Sequence, residues 1–299
     1  MLTTVLLILP DFILISLGAA LRHLIGFSAD FFRQVEKLVY YLFFPALLFY
    51  SIVNTPLDGA QTFNLFLAVG GVIVTGALSG WLALRALRAD ALAHASVVQC
   101  AFRFNTYLTL SLAFELGQQE GLGIMSVMVG LAVPMVNFFA VHALARQRGR
   151  KIGVELLSNP FILAAILGLL WNFLALPIPK PIEVGLSRLG SCALPLGLLC
   201  VGATISLTAL HGAKKLVTWM VSCKLLLLPI AAVLISWLLK LEPAEANMLI
   251  LFGAVPTASS AHVLAARMGG NAELVATTMS VGTILAIFTL PLCIRFLFI

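Results

Sequence analysis

The chain has 299 residues, 61% of them hydrophobic and only 10% charged, with a mean hydropathy of +1.09. A soluble globular domain carries about 25% charged residues, so this composition excludes the soluble classes and points to a polytopic membrane protein. The formal charge of +6 is read by location, because cytoplasmic loops of membrane proteins collect Lys and Arg, and it implies no nucleic-acid partner.

About 20 apolar residues cross the hydrocarbon core. On that measure the sequence predicts ten spans, at 4–23, 35–53, 64–84, 92–114, 122–145, 159–176, 185–208, 215–239, 246–266 and 273–297. The opening MLTTVLLILP lacks the basic stretch of a signal peptide and reads as a retained first helix. The expected fold is an all-α membrane protein of ten transmembrane helices in the lipid bilayer, with short loops and no soluble domain. With the N-terminus outside, inner loops hold twelve Lys and Arg and outer segments four. Both termini are therefore placed outside a cell (inner) membrane.

An offset of 150 residues aligns Pro10 with Pro160, Gly18 with Gly168 and Pro45 with Pro195, and reads PDFILISLG against PFILAAILG. Two five-helix repeats follow, 1–149 and 150–299. Because five is odd, the second repeat enters the membrane inverted. The same offset carries Asn105 and Thr106 onto Val255 and Pro256, and so joins CAFRFNTYLT to GAVPTASSAHVL. These are polar interruptions in the fourth span of each half. Corresponding broken, crossing helices (spans 4 and 9) are the usual sequence pointer to a transporter's midplane site.

Pro256 removes a backbone donor, while Thr257, Ser259 and Ser260 offer hydroxyls to freed backbone groups. If both spans unwind, the following half-helices direct free N–H groups and positive dipole ends at one spot, which favours an anion. Arg103 either draws that anion or locks the crossover. Asn137, three residues after Pro134, is a candidate for the cavity lining. Lys224, midway along the eighth span without an acid within a turn, reads as a substrate-carboxylate contact, a fixed charge in ion coupling, or a structural lysine bonded to unwound carbonyls. His262 is either a proton-handling group or a packing residue.

No span centre holds Asp or Glu, so paired-carboxylate exchange and a carboxylate metal site are disfavoured. Cys100, Cys192, Cys200, Cys223 and Cys293 show no metal-binding spacing. No nucleotide-binding or hydrolase motif occurs, and neither an enzyme, a metal nor a cofactor is expected.

FRFNTYLTLSLAFELG, LSNPFILAAILGLL, LGSCALPLGLLCVGATISL and VPTASSAHVLAARMGGNAELVATTMSVGTILAIFTLPL are similar to the fourth, sixth, seventh and ninth-to-tenth spans of the auxin efflux carrier family. Bacterial members of that family are described as malonate and malate permeases. The resemblance implies a scaffold of spans 1, 2, 6 and 7, a transport domain of spans 3–5 and 8–10, and an elevator-type cycle. The family's crossover positions fall on Asn105 and Pro256, with Thr106 where plant members have proline. The expected function is secondary active transport of a small organic anion, a carboxylate, held by Arg103, Asn105, Thr106, Asn137, Pro256, Thr257 and Ser259, with Lys224 and His262 in coupling. A sodium-coupled symporter resembling the bile acid symporters is the alternative, and a homodimer is left open.

Overall fold

The computed structural model describes residues 2–55, 59–148, 160–205, 213–258 and 260–299. Ser259, the junction at 149–150 and the last residues of the seventh expected span, 206–208, lie outside them. Regular structure among the described residues is helical throughout, without a strand.

Helix α1 (Leu2–His23) lies along α8 (Lys180–Ala203). A Cβ at Gly18 would overlap the Leu199 carbonyl, and one at Gly202 the Ile15 carbonyl. Small residues at these points let two backbones touch, which is how helices gain contact where lipid supplies no hydrophobic drive.

Helix α2 (Ala29–Leu38) starts at Ser28, whose Oγ accepts from Phe31 N at 3.0 Å. It widens into a π turn, Val39–Phe43, and continues as α3 (Phe44–Val53). The same event joins α9 (Lys214–Ser222) through the π turn Cys223–Leu227 to α10 (Leu228–Leu239). In each case a proline, Pro45 or Pro229, follows at the second position of the continuing helix. Proline donates no hydrogen bond and its ring crowds the carbonyl four residues back, so the preceding turn is widened rather than the helix ended.

Helices α4 (Gly59–Ala86) and α5 (Ala91–Val97) are followed by a 3-10 turn, Val98–Ala101. Helix α6 (Thr106–Arg148) would be about 65 Å long if straight. It is not straight: Gln118 has φ 50° and ψ −142°. A Cβ at Gly121 would come within 2.6 Å of the Ala113 carbonyl oxygen, so the chain turns back there. The remaining helices are α7 (Pro160–Phe173), α11 (Pro243–Ala254), α12 (Ser260–Arg267) and α13 (Ala272–Leu297). Glu242 and Glu245 form a capping box at the start of α11.

Among the described residues, six stretches are long and apolar enough to cross a membrane: Ala29–Val53, Thr62–Ala86, Ala91–Leu144, Lys180–Ala203, Lys214–Leu239 and Ala272–Leu297. Ala91–Leu144 contains two of the expected spans together with the reversal at Gln118. Leu163–Phe173 is a shorter apolar helix. Outward faces carry exposed Leu234, Trp237, Phe288 and Phe296. Apolar surface of that extent needs hydrocarbon around it.

Two sets of helices pack among themselves. One comprises α1, α2, α3, α7 and α8; the other brings α4, α6, α10 and α11 together, with α12 on α13. Helix α6 also touches α3, α7 and α8. The 3-10 turn that leads into the first interruption packs on α4, α5, α6, α9 and α13.

Candidate functional site: two helix breaks in contact

The first interruption spans Phe102–Asn105, between the 3-10 turn and α6. No proline causes it. Its backbone lies on α4 at Gly76 and Gly80, where a Cβ would approach the Ala101 carbonyl oxygen to 2.8 Å and the Ala101 Cβ to 3.0 Å. Asn105 restarts the helix: its Oδ1 accepts from Leu108 N at 3.2 Å, and its carbonyl accepts from Thr109 N at 2.9 Å and Thr109 Oγ1 at 2.6 Å. This is N-cap chemistry performed inside the protein.

The second interruption follows α11 at Val255–Ala258. Pro256 has no N–H for the Phe252 carbonyl, and the departure of the chain at Thr257 leaves the Gly253 carbonyl without its helical donor. Lys224, in the π turn before α10, donates its Nζ to both, at 3.2 Å to Phe252 O and 2.9 Å to Gly253 O. It also lies 5.8 Å from the Phe252 ring centroid. A cation at the negative end of a helix is favourably placed. Of the readings the sequence allowed for Lys224, this contact matches the lysine bonded to unwound carbonyls.

The two breaks touch. Asn105 N donates to Pro256 O at 2.7 Å, and Thr257 Oγ1 donates to Cys100 O at 2.7 Å. Gln99 Nε2 donates to Ala261 O at 3.2 Å and to Ser96 O at 3.0 Å. Arg103 donates to Ser260 Oγ at 2.9 Å and to Asn137 Oδ1 at 2.7 Å, so it ties the first break to α12 and to α6 beyond Pro134. The Phe104 and Phe252 rings meet at 4.4 Å. Arg103 is 5% exposed, Asn105 1%, Lys224 2% and Gln99 0%.

Three polar atoms on this segment stay buried without a hydrogen-bond partner among the described residues: Asn105 Nδ2, Arg103 Nε and Gln99 Oε1. The acceptor role of Asn105 Oδ1 fixes which amide atom is which, so Nδ2 is a donor that no described residue meets. Such a group costs about 1–3 kcal/mol when nothing meets it. Neither Arg103 nor Lys224 has a carboxylate partner among the described residues. The centre of the molecule therefore has positive charge and donor capacity to spare.

The structure thus brings Arg103, Asn105, Pro256, Thr257 and Asn137 into one network. Thr106 is half-buried at the first position of α6. The Thr257 hydroxyl is committed to Cys100. His262 stands aside, with Nδ1 at 3.0 Å from the Ala272 carbonyl oxygen. Gln99 was missed by the sequence reading, although it lies one residue before the polar stretch and is itself polar within the apolar span 92–114.

Residues 118–294, more than half of the chain, match the model of a family described as membrane transport protein. An uncharacterized transporter of Methanothermobacter thermautotrophicus (strain Delta H) is 25% identical over 293 residues, which cover 95% of each chain. With helices of membrane-crossing length and apolar outer faces, the protein is a multi-pass membrane protein, and it belongs to the membrane transport protein family of the auxin efflux carrier type.

Proposed function

We propose that this transporter is a secondary active carrier of a small organic anion, a carboxylate, which binds where the two breaks touch. The observation that carries the reading is Asn105 Nδ2 at the start of α6, a buried donor without a partner among the described residues. Beside it are the N–H groups of a helix start and the guanidinium of Arg103, which only neutral groups meet among the described residues. An anionic carboxylate would satisfy all three demands, whereas a cation would meet the positive ends of two helices. In this reading the ten expected spans form two inverted repeats in the inner membrane. Helices α1, α2, α3, α7 and α8 act as the scaffold, and the set carrying the breaks moves past them as an elevator.

The test is a thermal-shift screen of purified protein against small mono- and dicarboxylates, each with and without sodium. A ligand that binds the folded state raises the midpoint by mass action. The expected result is stabilisation by one or more carboxylates that is lost in Asn105→Ala. Stabilisation only by cationic or neutral solutes would overturn the reading, and a requirement for sodium would favour the sodium-coupled alternative.

A further inference from the structure

A groove of about 730 Å³ opens on the outer surface between the end of α4 and the α9–π-turn–α10 rod, and no residue of either break lines it. One end is basic and the rest apolar. Lys214 and Lys215 line the mouth and are exposed. Leu87 forms the opposite edge, flanked in sequence by exposed Arg85 and Arg88. The acid that follows, Asp90, is occupied in capping α5, with its Oδ1 accepting from Ala93 N at 2.8 Å. Below the lysines the wall is Trp219, whose Nε1 donates to Ser79 O at 2.9 Å and so pins the indole at the depth where the basic end gives way to the apolar trough. Leu227 and Ile230 then line the floor and are 39% and 52% exposed.

We infer that this groove is a binding site for one anionic phospholipid, with its headgroup phosphate on Lys214 and Lys215 and an acyl chain laid along Trp219, Leu227 and Ile230. The dimensions fit that occupant. Fifteen residues of helix separate Lys215 from Ile230, about 22 Å, while half of a hydrocarbon core is about 15 Å. The groove therefore reaches from headgroup level through one leaflet. Basic pockets between membrane helices take anionic headgroups, each Lys near an anionic surface adding to the attraction, and Trp sits at the interface depth. A free inorganic anion would use the lysines and leave the trough without purpose.

Native mass spectrometry of the full chain, released from nanodiscs of phosphatidylglycerol or of phosphatidylcholine, tests the site. One retained phosphatidylglycerol per chain is expected, with phosphatidylcholine lost. Lys214→Gln with Lys215→Gln should weaken retention about 30-fold, since two charges are removed. Arg33→Gln with Lys37→Gln, on α2, should leave it unchanged. Both lysines are exposed, so the fold should survive, and an unchanged unfolding midpoint in detergent checks this. Three results would overturn the inference: equal loss from both double variants, equal retention of the two lipids, or displacement of phosphatidylglycerol by millimolar inorganic phosphate at constant ionic strength.

Discussion

Asn105 divides its amide between two tasks: Oδ1 starts a helix, and Nδ2 has no partner among the described residues. Losing a hydrogen bond to a charged partner costs roughly 1.5–3 kcal/mol, so Asn105→Ala should weaken carboxylate binding by about 10- to 150-fold. Asn105→Asp is the sharper variant, because it keeps the cap acceptor while replacing the donor by a negative oxygen. Binding measured on monodisperse protein should be lost in Asn105→Asp with the unfolding midpoint held near that of the parent; retained affinity would remove Asn105 from the site. Lys224 calls for the opposite separation. Lys224→Met strands the Phe252 and Gly253 carbonyls, and an unmet buried group costs about 1–3 kcal/mol. The expected outcome is a lower unfolding midpoint with the ligand-induced rise in midpoint preserved. An unchanged midpoint would refute the capping role, and a lost ligand response would return Lys224 to substrate contact. The polar cluster at 103–106 was legible because charge in an apolar span has few bland explanations. The partners of Lys224 were not, since they depend on which helix end the π turn faces, and Gln99 escaped because one amide in a span excites no suspicion.

At the scale of elements, apolar length and proline position carried most of the information. Pro45 and Pro229 each follow a π turn, which the sequence alone does not reveal, because whether proline ends, kinks or widens a helix depends on how neighbours hold both flanks. The chain entering the break at Phe102–Asn105 is seated on another helix, against Gly76 and Gly80, which no reading of residues 100–109 alone could reveal. The reversal at Gln118 was visible only as a dip in hydropathy between two expected spans, and it makes a sidedness prediction. In a cysteine-free background, Gln119→Cys should label only from outside and Gly149→Cys only from the cytoplasm, because the sequence segment 146–151, expected on the inner side, carries four basic residues, Arg146, Arg148, Arg150 and Lys151. Labelling of both from one side would discard the inverted ten-span reading.

For the whole molecule the informative surface lies between the two helix sets, where the proposed elevator must slide. Contacts of α6 cross it near the breaks. Ser111 Oγ on α6 donates to Asp11 Oδ1 on α1 at 2.6 Å, and Tyr107, next to the first break, lies on α8 at Gly197 so closely that a Cβ there would overlap its ring. Tyr107 also packs edge-on against Phe44 of α3, with ring centroids 4.9 Å apart. Gly197→Leu is incompatible with this arrangement, and overpacking costs about 1–3 kcal/mol. If a second arrangement exists in which Tyr107 has moved off Gly197, that cost shifts the equilibrium toward it by about 5- to 150-fold. A cysteine at the half-buried Thr106 position reports the shift. In the Gly197→Leu background its labelling by a membrane-impermeant reagent should change sides relative to the parent, flux should fall, and carboxylate binding by purified protein should persist. Labelling from the same side with undiminished flux would mean that the two sets need not slide at this surface, and the elevator part of the reading would fail while the anion site at Asn105 stood.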